Sequence, residues 1–141
     1  MPERFFLAGI IQGSQRGKEL YPQYYRERIK RALRRRFPRA EIFCPYELHP
    51  YSIDYDSKRG KETFLSMIEE AKRSKCLVAY LPEASLGTAI EIWECYKSGV
   101  PIWTISPMGE NWVVRFFSTK IFSSLSDFEA YLKEPEVARS P

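Results

Sequence analysis

Residues 83–95 read EASLGTAIEIWEC and follow an apolar run, CLVAYLP. Ser85, Gly87, Thr88 and Glu91 are the residues here whose types and spacing allow chemistry. A glutamate three positions after a threonine can close a capping box. The Thr88 hydroxyl would accept from the Glu91 N–H, and the Glu91 carboxylate would reach back to the Thr88 N–H. On spacing alone this capping role comes first. If Ser85 is the cap instead, Glu91 lies one turn inside a helix, with Ile92, Cys95 and Tyr96 packing onto a sheet. The positive end of a helix would then favour an ionised Glu91. An ionised carboxylate suits a nucleophile or base better than a proton donor at neutral pH.

A second group of polar residues lies in YELHPYSIDYDSKRG, residues 46–60, which has no period and reads as a loop. It is long for a connection in a compact domain, which favours a functional lid. Asp54 and Asp56 are the acids here that could protonate a departing group if burial raised their pKa. Asp56 is the candidate acid; loop capping or solvation is the plainer role for both. His49, the only histidine, cannot make a metal site by itself, and no His/Cys/Asp cluster accompanies it. Neither a metal nor a cofactor is required. Tyr46, Tyr51, Trp93 and Phe6 could stack on a planar ligand, with core packing the simpler fate for Phe6.

The elements that must hold these residues alternate. RFFLAGII (4–11) is a buried-strand pattern, and a glycine-bearing loop follows it. Tyr21, Tyr25, Ile29, Leu33 and Phe37 then form one stripe on a helix that Pro38 stops. AEIFCP is a second strand, and a helix at about 61–74 turns Phe64, Leu65, Ile68 and Ala71 inward. KCLVAYLP is the third strand, and residues 87–99 are a helix with Gly99 as its stop. VPIWTISP is the fourth strand. ENWVVRFF, KIFSS and SDFEAYL read as a short helix, a fifth strand and a capped final helix. The expected fold is a single-domain α/β three-layer sandwich, Rossmann/flavodoxin-like, with about five mostly parallel strands and helices on both faces. Residues 1–133 form the domain and 134–141 a tail. Ligands of such sheets sit beyond the carboxyl ends of the strands, where the strand order reverses. The loops after the first and third strands should meet there.

The chain has 141 residues and a net charge of +4. Its 44% hydrophobic and 28% charged content excludes a disordered chain. No apolar run approaches the roughly 20 residues that span a bilayer, and the N-terminus has no signal-peptide pattern. Cys44, Cys76 and Cys95 lack CxxC spacing and read as reduced and buried, so the expected location is cytoplasmic. The basic segment RERIKRALRRRF reads first as a solvated helix face, and nothing accompanies it that would make nucleic acid the partner.

The stretch CLVAYLPEASLGTAIEIWECYKSGVPIWTI, together with FFLAGIIQGS near the N-terminus, resembles the nucleoside 2-deoxyribosyltransferase-like superfamily. That group includes deoxyribosyltransferases and nucleoside 5′-monophosphate N-glycosidases. The resemblance implies that Glu91 is the nucleophile, attacking C1′ of a ribosyl or deoxyribosyl group. It also implies that Ser85 and Gly87, with Thr88 beside them, contact a phosphate. The first loop would hold sugar or phosphate through Gly9, Gln12, Ser14 and Arg16. The hydrolases' serine and arginine fall on Ile10 and Gln12, so Ser14 and Arg16 stand in for those types. Met67 occupies the place of an aspartate that often manages the leaving base, Lys75 the place of another, and Trp93 that of a glycine. The implied activity is cleavage of the N-glycosidic bond of a nucleoside or nucleoside 5′-monophosphate, by hydrolysis or by transfer to another base. A catalytically inactive nucleotide-binding or sensing module on the same fold is the alternative. The implied assembly is a homodimer or larger homo-oligomer.

Overall fold

The computed structural model describes residues 3–11, 20 and 22–134. Alternation in the strands decides the layers, because successive side chains in a strand point to opposite faces. In β1 (Arg4–Gly9), Phe5 and Leu7 enter one buried cluster with Cys76, Val78, Trp103 and Ile105. Phe6 and Ala8 enter the other, with Leu77, Ala79 and Ile102. The first cluster is closed by α1 (Tyr25–Arg36) and α6 (Leu125–Lys133). The second is closed by α3 (Ser57–Lys72), α4 (Leu86–Lys97) and α5 (Trp112–Phe117). The sheet between them has five strands, all parallel. They are β1, β2 (Glu41–Phe43), β3 (Cys76–Tyr80), β4 (Ile102–Ile105) and β5 (Lys120–Phe122), in the order β2-β1-β3-β4-β5. This is the three-layer α/β fold expected from the strand–helix alternation.

The order of strands puts β1 beside β3, with Gly9 opposite Tyr80 at their carboxyl ends. The chain leaves β1 towards β2 on one side and leaves β3 towards β4 on the other. A crevice at that end follows from the topology. Gly99 ends α4 as expected: its φ of +76° is the left-handed conformation that closes a helix C-terminus without a Cβ penalty.

Three expectations need correction. The segment 46–60 is more than a loop. It contains α2 (Pro45–Leu48), started by a proline whose missing N–H has no helical partner to lose, and a 3-10 turn at Ser52–Asp54. Next, α3 begins at Ser57, earlier than 61, because Asp56 caps it. Finally, the buried residues of α3 are Met67, Ile68 and Ala71, whereas Phe64 and Leu65 are exposed. The helical period permits either stripe, and contact with β1 and β3 selects the one containing Met67. Tyr21 and the tail residues 135–141 lie outside the described residues, as do Gln12, Ser14 and Arg16. Cys44, Cys76 and Cys95 are free and buried. Among the described residues, no helix is long and apolar enough to cross a membrane.

Candidate active site

Ser85, in extended backbone, is the N-cap of α4. Its Oγ accepts from Thr88 N–H at 3.3 Å and donates to Thr88 Oγ1 at 3.1 Å. Thr88 is therefore inside the helix, and the capping box with Glu91 does not form. Glu91 stands six residues beyond the cap, where its backbone N–H is already bonded within the helix. Its carboxylate has no hydrogen-bond partner among the described residues, yet the residue is only 8% exposed. The N–H groups of Leu86 and Gly87, at the open end of the helix, find no acceptor among the described residues either.

Glu91 lines a cleft of about 630 Å³ at the β1–β3 crevice. Gly9 and Ile11 come to it from the end of β1, and Ser85, Gly87 and Thr88 from the start of α4. The end of β1 and the turn before α4 thus meet where the topology requires. Gly9 is held for a steric reason: a Cβ there would lie 2.7 Å from Tyr25 Cε2 and 2.8 Å from Cζ. The Tyr25 hydroxyl donates to the Ile10 carbonyl at 2.9 Å, locking that approach. Gly87 has no such constraint, since a Cβ would meet only Phe64 Cε1 at 3.7 Å.

Burial pushes the Glu91 carboxyl up to about 8, and the nearby Arg26 cation pulls it the other way. The sequence favoured an ionised carboxylate at the positive end of a helix. That field fades beyond the first turn, and Glu91 is already past it, so desolvation wins. Arg26 is the cation of this site. It is 3% exposed, and Nε donates to Gln23 Oε1 at 2.7 Å. Its other donors meet Gly9 O and Cys44 Sγ only at 3.4 Å. The guanidinium also lies over the rings of Tyr25 and Tyr46, at 4.9 and 5.5 Å. Hidden in a run of basic residues, Arg26 read as part of a solvated face. The missed signal is its helical position, three residues before Ile29 and seven before Leu33, on the stripe itself.

The remaining sequence-predicted residues are sorted by this geometry. Asp56 is exposed and lies outside the cleft lining; its Oδ1 accepts from Arg59 N–H at 2.8 Å. The candidate acid is thus a helix cap. Asp56→Ala is expected to cost about 1 kcal/mol of stability, measured by urea unfolding, with no change in any activity of the cleft. Asp54 sits in the 3-10 turn, also outside the lining. Met67 lines the cleft, whereas Trp93 packs outward on Phe117 at 5.2 Å. Phe6 is core, and Tyr51 is exposed. His49, set aside as a lone histidine, lines the cleft.

With β2-β1-β3-β4-β5 parallel and the cleft at the β1–β3 ends, comparison with solved structures decides the fold. The chain has the nucleoside 2-deoxyribosyltransferase-like fold. A 2-deoxyribosyltransferase from Bacillus psychrosaccharolyticus superposes with a TM-score of 0.68 at 20% identity, over 92% of this chain and 95% of that one. A conserved protein from Enterococcus faecalis V583 gives 0.63 at 18% identity, over 94% and 98%. A CMP N-glycosidase from Clostridium botulinum gives 0.52 at 17%, over 92% and 98%. No family model matches the sequence, and no curated protein does. The deoxyribosyltransferase-like fold covers nearly the whole chain.

Proposed function

We propose that the protein breaks the N-glycosidic bond of a nucleoside or nucleoside 5′-monophosphate, with Glu91 as the nucleophile at C1′. The observation that carries this reading is a buried carboxylate in the switch-point cleft with no hydrogen-bond partner among the described residues. A structural glutamate at this depth would be paired. The 2-deoxyribosyltransferase and the CMP N-glycosidase among the structural neighbours support carrying that chemistry to this chain.

Attack of Glu91 Oε on C1′ forms a glycosyl ester as the C1′–N bond breaks and its electron pair leaves with the base. Water then attacks C1′ and releases Glu91, giving hydrolysis; a second base in its place gives transfer. Glu91 must first lose its proton, so its raised pKa of about 8 puts a rising limb into the pH–kcat/KM profile. Arg26 favours the ionised form. The N–H groups of Leu86 and Gly87, backed by the α4 dipole, suit a phosphate, and Ser85 and Thr88 hold that end of the helix open. Gly9 and the first-loop residues Gln12, Ser14 and Arg16 complete the sugar or phosphate side. These features and the net positive charge favour a 5′-monophosphate and hydrolysis.

The test incubates the protein with a panel of nucleosides and 5′-monophosphates and assays freed base. Release by wild type and none by Glu91→Ala is expected. Thermal stabilisation by a nucleotide without release would instead support a binding or sensing module.

The assembly we propose is a homodimer or larger homo-oligomer built on the outer face of α4 and α5. Leu86 (88% exposed), Ile90, Trp93, Trp112 (73% exposed) and Phe116 present apolar surface there. Leu86 and Ile90 also line the cleft, so a second copy seated on this face would close the site's rim. Trp93→Glu is expected to shift light-scattering mass to the monomer; an unchanged mass in both proteins would contradict this.

A further inference from the structure

Among the described residues lining the cleft, only Arg26, His49 and Glu91 carry ionisable groups of the acid, imidazole or guanidinium type. Arginine does not give up its proton in proteins, and the proposed reaction uses Glu91 as nucleophile. Met67 fills the α3 side of the lining and has no proton to give. Asp56, the acid expected from the sequence, caps α3 instead. A departing base whose ring nitrogen gains an electron pair therefore has the His49 imidazole as the remaining proton-transfer group in the described lining.

That residue is positioned by both backbone and side chain. His49 ends α2, its N–H donating to Pro45 O at 2.8 Å and its carbonyl accepting from Ser52 N–H at 3.1 Å. Nδ1 lies 2.9 Å from the Tyr55 hydroxyl, and the two rings meet edge-on at 88°. The Arg59 guanidinium stacks on the other partner, 3.7 Å from the Tyr55 ring centre. With Nδ1–H donated to Tyr55 Oη, Nε2 is left as the nitrogen that exchanges a proton, since no other hydrogen bond to the ring exists among the described residues. Among the described residues, Tyr55 is the titratable group against the imidazole, Arg59 lies on the Tyr55 ring, and Glu91 and Arg26 share the cleft lining.

We propose that His49 is the proton donor to the leaving base, a role that rests on the glycosidic reading above. As Glu91 Oε bonds to C1′, the C1′–N electron pair moves onto the base nitrogen. The imidazolium Nε2–H passes its proton to the base, which leaves neutral. His49, now neutral, accepts a proton from the water that attacks C1′ and displaces Glu91 as carboxylate. The water's remaining O–H stays on the sugar, and both side chains return to their starting states.

The panel assay settles first whether wild type releases base, and its failure would defeat the glycosidic reading itself. Given release, His49→Ala is expected to lower kcat/KM about 100- to 1,000-fold on the cleaved substrate, with unchanged thermal unfolding. Added imidazole should restore part of the loss, which a merely structural role would not permit. Tyr55→Phe, which keeps the ring under Arg59, should lose about tenfold. Because the chain has a single histidine, its Nε2 resonance is unambiguous, and the released base should displace it in wild type. A His49→Ala enzyme within about threefold of wild type, or an Nε2 signal that the released base leaves unmoved, would overturn the assignment.

Discussion

Glu91→Gln is expected to abolish base release, lowering kcat/KM by at least about a thousandfold, while making the protein more stable at alkaline pH. The two effects have one cause, a carboxylate largely desolvated by its burial in the cleft wall. Folded Glu91 keeps its proton up to about pH 8, whereas in the unfolded chain it titrates near the ordinary 4.5. Between those values the folded state binds more protons than the unfolded one. Stability is therefore fully present below about 4.5, falls as pH rises through the interval, and levels off above about 8. At about 1.4 kcal/mol per pH unit of difference, the loss is roughly 3–5 kcal/mol at most. Glutamine has nearly the same shape and no charge, so its stability lacks this slope. Urea unfolding of both proteins at pH 5 and pH 9 gives the comparison. A constant difference between them across that range would sink the buried-charge account. A Gln variant that still releases base would sink Glu91 as nucleophile.

Arg26→Met is expected to move the rising limb of the pH–kcat/KM profile about one unit to higher pH and to lower kcat/KM at pH 7 about 10- to 100-fold. Methionine keeps the length and apolar character that the α1 position needs, and it removes the cation. Arg26 is the charge that offsets Glu91's desolvation, so without it the carboxyl ionises later and less of the enzyme is active at neutrality. Arg26→Lys should fall between Met and wild type. It restores charge, but it lacks the planar fork that reaches Gln23, Gly9 and Cys44 together. Rate profiles from pH 5.5 to 9.5 measure the shift. A Met variant whose profile overlays wild type's would remove Arg26 from control of Glu91.

Much of the fold was legible because it rests on short-range signals. Buried strands of four to six residues, the Tyr25–Ile29–Leu33 stripe and Gly99 each announce their geometry locally. The interior of the 46–60 segment was not legible, since α2 and the 3-10 turn are too short to show a period. The inward stripe of α3 was ambiguous for a different reason. Ile68 and Ala71 go inside as expected, but Phe64 and Leu65 are apolar and suitably spaced too, and only the position of the neighbouring strands decides that Met67 is buried in their place.

The candidate site divides in the same way. The sequence by itself determined that Ser85, Gly87, Thr88 and Glu91 would lie together after a buried strand, because neighbours in a turn stay neighbours in space. It also determined that the carboxyl ends of β1 and β3 would bound a crevice, because a parallel sheet admits few arrangements. Only the tertiary structure decided that Ser85 rather than Thr88 caps α4, leaving Glu91 outside any capping box, since that choice depends on the backbone angle at which the chain leaves β3. It alone separated Arg26 from the other cations of α1 and brought His49 into the cleft while excluding Asp56. Burial, and with it the charge state of Glu91, is a property of what surrounds a side chain from several elements at once, and a linear order of residues does not contain it.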